Sequence, residues 1–214
     1  MTGRNETALV VFAKAPAAGA VKTRLVPVLG TEGAAALHAE LVKRTLDMAR
    51  AASFGQARLH CAPGVADPFF QLCKGHYGVA LEPQSAGDLG ARMGTAFESV
   101  LAVHDRVLLI GTDCPALTAD HLRQADAALR DGADAVFVPC EDGGYALIGL
   151  RRTDRRLFDD IAWGGDRVMA DTRARLQRLG WTWRELETLW DVDRPEDYAR
   201  LQASGMLDTI RATA

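Results

Sequence analysis

Short apolar runs alternate along this chain with segments whose apolar residues recur at helical spacing. Residues 8–12 and 106–111 (RVLLIG) and the ADAVFVP stretch are continuous apolar runs of strand length. Strands covered on both faces read this way, whereas a half-exposed strand alternates apolar with polar. Between them, residues 32–52 carry Leu37, Leu41 and Met48 with Val42, Leu46 and Ala49 at helical intervals, behind Thr31 as a cap. The spacing predicts further strands over 57–61, 79–82, 146–150 and 181–186. It predicts helices over 68–74, 89–103, 118–130, 166–179 and 195–202. Such alternation implies an α/β fold with a mainly parallel central sheet and helices on both faces. No internal repeat, low-complexity tract or linker interrupts it, so the expectation is one three-layer domain over 1–214.

Composition narrows the partners. The chain has 214 residues, 48% hydrophobic and 25% charged, with a formal net charge of −3. That is enough chain for one good core, and it lacks the broad basic face that a nucleic-acid binder needs. The longest apolar run near the N-terminus, residues 8–13, is too short for a signal segment or a membrane span. The four cysteines (Cys61, Cys73, Cys114, Cys140) form no C-x-x-C pair and suggest neither a disulfide framework nor a zinc site. The expectation is a cytoplasmic protein with free thiols, no membrane and no nucleic-acid partner. A homodimer is compatible with the sequence.

In open α/β sheets, ligands gather beyond the carboxyl ends of the strands, so the loops there carry the information. The first, in VFAKAPAAGAVKTRL, holds Lys14, Lys22 and Arg24 around Gly19. It is not a P-loop, which needs glycines one and six places before its lysine; those places hold Val21 and Pro16. After the third strand comes PQSAGDLGARM, after RVLLIG comes TDCPAL with Asp113, and after VFVP comes CEDGGYALIG. Near the C-terminus, DVDRPEDY sets Asp191 and Asp193 before a helix beginning at Pro195. Taken singly, each has a structural explanation: Asp193 as an N-cap, Asp113 as a turn cap, the loop cations as a solvated rim, Glu141 and Asp142 as turn residues. Together they fall on one edge of the expected sheet.

Phosphoryl-type transfer on a nucleotide is the chemistry that unites them. Mg²⁺ (or Mn²⁺) commonly uses one or two carboxylates plus substrate phosphates, which Asp113 and Asp193 would supply. A basic loop of Lys14, Lys22, Thr23 and Arg24 would neutralise charge on the phosphate oxygens, so that Lys22, Arg24 and Asp113 carry the catalysis. No Ser-His-Asp or Cys-His constellation reads from the sequence, and His38 and His60 fall within expected elements, as structural residues.

The ordered set FAKAPAAGAVKTRL, GDLGARM, GTDCPAL, EDGGYALIGL and DVDRPEDY resembles the DUF2064 family of the nucleotide-diphospho-sugar transferase (GT-A-like) superfamily. Some of its members are labelled arsenosugar-biosynthesis glycosyltransferases. More distant similarity extends to phospholactate and molybdenum-cofactor guanylyltransferases and to CMP-Kdo synthetase, with its D-x-x-P-E-D ending. The resemblance implies a GT-A-like fold, Asp113 and Asp193 as metal ligands, and Lys14, Lys22 and Arg24 as the phosphate loop. Two departures bear on acceptor recognition: WGGD (residues 163–166) replaces an expected W-S-T, and Arg194 a usual threonine. Gln84, Gly87 and Asp88 are candidate nucleotide contacts; Glu141, Asp142, Gly143, Gly144 and Tyr145 face the acceptor. The substrates expected are a nucleoside triphosphate or nucleotide-sugar and a small acceptor. The three loop cations and the lone aspartate of TDCP lean towards nucleotidyl transfer to a small phosphorylated or carboxylate acceptor, with glycosyl transfer and a non-catalytic nucleotide-binding role as alternatives.

Overall fold

The computed structural model describes residues 6–206. Seven strands form a single sheet: β1 (Thr7–Lys14), β2 (Arg58–Ala62), β3 (Ala80–Pro83), β4 (Arg106–Ile110), β5 (Ala135–Pro139), β6 (Tyr145–Leu150) and β7 (Trp183–Glu185). Their spatial order is β3-β2-β1-β4-β6-β5-β7. All neighbours run parallel except β6, which is antiparallel to both β4 and β5. The α/β expectation with a mainly parallel sheet thus agrees with the architecture.

Period-two alternation along β1 divides its side chains between two cores. Leu9, Val11 and Ala13 join Val42, Leu46 and Ala49 of α1 (Val26–Ala52), Phe70 of α2 (Pro68–Tyr77) and Leu122 and Leu129 of α4 (Ala119–Arg130). Ala8, Val10 and Phe12 face Met93 and Phe97 of α3 (Leu89–Leu101) and Met169 and Leu176 of α5 (Val168–Leu179). A third cluster joins Leu25, Leu37 and Leu41 to Trp190, Val192 and Leu201 of the C-terminal segment, which ends in α6 (Pro195–Ala203). By length and composition α1 with its preceding turn is apolar enough to cross a bilayer. Its residues Ala34, Leu37, Leu41, Val42 and Leu46 are instead buried against the protein.

Helix starts follow the sequence signals where a side chain caps them: Asp67, Asp88 and Thr118 accept from backbone N–H groups of the first turns of α2, α3 and α4. The largest departure from the expected boundaries is at the start of α1. Helix α1 begins at Val26, preceded by a 3₁₀ turn over Thr23–Leu25, and Gly30 kinks it with φ 69°. The straight limb then runs from about Thr31, so the expected start marks the kink. Strand β7 is also shorter than expected.

Gly149 lies where β6 passes between β4 and β5. A Cβ there would sit 2.6 Å from both Leu108 Cδ2 and Val136 Cγ1. Gly149→Ala is therefore expected to cost about 1–3 kcal/mol in urea unfolding; an unchanged midpoint would show that the sheet yields there without strain.

Candidate active site

Because β1 pairs with β4 in parallel, Val11 opposite Ile110, the chain leaves both strands at the same edge. A cavity of about 560 Å³ opens there. Of the residues singled out from sequence, Lys14, Lys22, Thr23, Arg24, Gln84, Asp113, Asp142, Gly144, Tyr145 and Asp193 line it. Gly19, Gly87, Asp88, Glu141 and Gly143 do not. Three reasons are visible. The Asp88 carboxylate caps α3 through Ala91 N–H. Glu141 pairs with Arg200 of α6 at 2.8 Å, and that guanidinium lies over the Trp190 ring. Gly143 has φ 91°, and a Cβ there would overlap the Asp166 backbone; its role is close packing beneath α5.

Two ion pairs hold the site together. Lys22 Nζ lies 2.6 Å from Asp113 Oδ1, with its side chain buried. Lys22 adopts the left-handed conformation, φ 48° and ψ 40°, which a non-glycine residue holds at a cost of order 1 kcal/mol. Asp113 lines the cavity with half of its side chain exposed. Burial pushes its carboxyl up, but the Lys22 charge and hydrogen bond, aided by His38 and Lys14, hold it below the usual range. Arg24 pairs with Asp193. The cap of α6 is Arg194, not Asp193, and Asp197 Oδ2 accepts from Arg194 N–H at 2.7 Å. The carboxylate of Asp193 is therefore free of capping duty and faces the basic loop.

Several residues reached the site without a sequence signal of their own. His38, read as structural, lines the cavity. Its Nε2 is 3.0 Å from the Lys14 carbonyl oxygen, and burial lowers its pKa. Asp191, already marked beside Asp193 in the sequence, also lines the cavity; burial, then the Asp142 charge, pushes its carboxyl up to about 6. Gln84 lines the cavity, but its amide donates to the Ala13 and His60 carbonyls at 3.1 and 2.9 Å. Its Oε1 accepts from Arg92 Nη1 at 2.8 Å, which makes Arg92 the side chain that Gln84 presents to the cavity. Phe12, Leu89, Met93 and Trp163 add an apolar part of the lining. Tyr145 lines the cavity, but its hydroxyl is buried.

Asp113, Asp142, Asp191 and Asp193 all line the cavity. Among the described residues, no group of three or more His, Cys, Asp or Glu side chains is arranged to hold a metal ion.

The Lys22–Asp113 pair has a pH signature. A carboxyl whose folded pKa lies below its unfolded value, about 3.9, adds stability that is present above that value and is lost as pH falls through the folded one. Lys22→Met should therefore destabilise most at neutral pH, with the deficit shrinking as pH drops below about 4. Urea unfolding of both proteins across that range checks it; a pH-independent deficit would mean that Lys22 contributes packing alone.

The family model described as "Uncharacterized protein conserved in bacteria (DUF2064)" matches residues 45–165. A protein from Desulfovibrio desulfuricans, provisionally described as a nucleotide-diphospho-sugar transferase, is similar at 32% identity. The match covers 89% of this chain and 83% of that one, with a TM-score of 0.80. CMP:2-keto-3-deoxy-manno-octonic acid synthetase complexed with CTP shares the fold at 10% identity, TM-score 0.62, covering 95% of this chain and 100% of that one. A Mycobacterium tuberculosis protein solved in complex with manganese shares it at 21% identity, TM-score 0.58, covering 94% and 100%. No curated protein matches by sequence. The match over more than half the chain, with the 32% identical relative, makes this protein a member of the DUF2064 family, with the fold of nucleotide-diphospho-sugar transferases and nucleotidyltransferases.

Proposed function

We propose that the protein is a divalent-metal-dependent transferase acting on a nucleotide, and that it moves a nucleotidyl group from a nucleoside triphosphate to a small phosphorylated or carboxylate acceptor. The observation that carries this reading is the pairing of the basic loop with the two aspartates, Lys22 with Asp113 and Arg24 with Asp193, across one cavity. When a triphosphate enters, Lys22 and Arg24 can exchange carboxylate partners for phosphate oxygens, leaving the aspartates to an ion. Asp113 and Asp193 would hold Mg²⁺ or Mn²⁺, with Asp191 and Asp142 nearby to strengthen the negative field. The ion would supply neutralisation of charge on the phosphate oxygens. The chain's own part is to orient the phosphates, to exclude water beneath the loop, and to stabilise charge on departing pyrophosphate through Lys14, Lys22 and Arg24.

The comparisons support this reading at a coarser level. The CTP complex belongs to a relative by fold, and the manganese complex to another. A lone aspartate in TDCP, rather than a D-x-D pair, and three loop cations favour attack at the α-phosphorus. The description of the 32% identical relative favours the second reading, transfer of a sugar from a nucleotide-sugar. A cytoplasmic location belongs to the same proposal. The Arg92 guanidinium, held by Gln84 Oε1 and the Asp88 carbonyl, would contact the base or the acceptor beside the apolar part of the lining.

Thermal-shift screening of nucleoside triphosphates and nucleotide-sugars, with and without Mg²⁺, identifies the donor, since a ligand of the native state raises the melting temperature. Asp113→Asn should abolish the Mg²⁺-dependent shift and the turnover while leaving the protein folded; full turnover in that variant would overturn the metal assignment. Lys22→Ala and Arg24→Ala should each lower the chemical step about 100-fold while changing nucleotide affinity less. Release of pyrophosphate, and inhibition by it, separate nucleotidyl transfer from glycosyl transfer, in which a nucleoside diphosphate departs. If no nucleotide shifts the melting temperature, with or without metal, both readings fail.

A further inference from the structure

Arg92 differs from the arginine and lysine that close the basic loop. Lys22 and Arg24 meet Asp113 and Asp193, whereas Arg92 has no carboxylate partner among the described residues. Its Nε donates to the Asp88 carbonyl at 3.2 Å and its Nη1 to Gln84 Oε1 at 2.8 Å, both uncharged acceptors. A guanidinium carries five N–H groups in a rigid fork. One hydrogen on Nη1 and two on Nη2 therefore stay available, on a half-buried side chain that lines the cavity. Gln84 fixes the fork. Its backbone N–H donates to the Cys61 carbonyl at 3.0 Å, and Nε2 donates to the carbonyls of both Ala13 and His60. Two carbonyls on one side and a guanidinium on the other allow a single orientation of that amide. The apolar lining adjoins this network: Phe12, Met93 and Ile148 share one core cluster, with Leu89 and Trp163 packed against it. Trp163 lies so close to Gly90 that a Cβ there would sit 2.5 Å from the indole Nε1.

We infer that Arg92 is the anion-recognising residue of the acceptor subsite, pairing with a carboxylate or phosphate carried on an apolar body, and that Gln84 is the positioning residue that holds it there. The inference rests on the proposed transferase reading, in which the loop cations take the triphosphate; the partner of Arg92 is then the second substrate. An uncharged nucleobase edge could hydrogen-bond to the fork but would leave its charge unmatched in a half-buried place. A carboxylate or phosphate meets two parallel N–H groups and neutralises them as well. The body that carries the anion lies against Phe12, Leu89, Met93 and Trp163, side chains that give hydroxyl groups little to replace their hydrogen bonds to water. An aliphatic or aromatic skeleton suits that wall better than a polyhydroxylated one.

Phenylacetate, phenyl phosphate and uncharged phenylacetamide, each titrated by calorimetry into the full-length protein, are the probes. At least one of the anions should bind about tenfold or more tightly than the amide, as for hydrogen bonds to a charged group, and the tighter of the two identifies the acceptor's group. Arg92→Met should remove that preference, and Arg92→Lys, which keeps the charge without the fork, should retain part of it. Gln84→Leu should shrink the preference with Arg92 intact, a change that a stability role alone would not produce. Equal binding of anions and amide, or a preference that survives in Arg92→Met, would overturn the subsite. An unaltered preference in Gln84→Leu would overturn the positioning role. The melting-temperature rise with Mg²⁺ and nucleoside triphosphates should be the same in Arg92→Met as in the wild type; a loss confined to one base would assign Arg92 to the base and overturn the inference. Anion preference in a protein that no nucleotide stabilises would uphold the anion site and defeat the transferase reading. Nucleotide binding without the preference would do the reverse.

Discussion

Strand β1 is the constraint on which the rest depends. It lies in the middle of the sheet, parallel to β2 on one side and β4 on the other, and every residue from Thr7 to Ala13 is buried. A strand covered on both faces must be apolar throughout, and its connections must cross to neighbouring parallel strands through helices. The outcome is chemical as well as architectural. The loops leaving β1 and β4 emerge side by side, and polar groups that the sheet cannot hold collect at its carboxyl edge. Lys14, the last residue of β1, is the first exposed one along that strand.

The basic loop could not keep its shape alone. Lys22 is buried in a left-handed conformation, a combination that costs free energy twice, in backbone strain and in desolvation of the ammonium. Asp113 offsets the desolvation with a short ion pair, and the cluster joining Leu25 and Leu37 to Trp190 and Val192 holds the C-terminal segment against the loop. Val192 N–H also donates to the Asp113 carbonyl at 2.9 Å. Residues more than a hundred positions apart in sequence are thereby brought into one polar network. Its charges balance pairwise, Lys22 with Asp113 and Arg24 with Asp193.

The elements and the polar edge were legible because each rests on local chemistry. Continuous apolar runs such as RVLLIG mark strands buried on both faces, and Thr118 or Asp67 marks a helix start through its own side chain. Partner choice was not legible. Gln84 is a loop glutamine by sequence; only the neighbouring ends of β1 and β2 explain why its amide donates to Ala13 and His60 and hands Arg92 to the cavity. Glu141 precedes Asp142, yet one pairs with Arg200 of α6 and the other lines the site. His38 sits mid-helix with no motif around it, and the packing of α1 against β1 alone brings its ring to the Lys14 carbonyl.

By itself, the sequence determined the α/β class, the strand and helix order, and which loops carry charge, since hydrophobic periodicity and turn chemistry act over a few residues. It also marked Lys22, Arg24, Asp113 and Asp193 as polar residues beyond strand ends. The tertiary structure decided which cation meets which carboxylate, that Arg194 rather than Asp193 caps α6, and that β6 runs against its neighbours. Each of these depends on groups distant in sequence, and their approach is set by the sheet order and the helices packed on it, which no local pattern encodes.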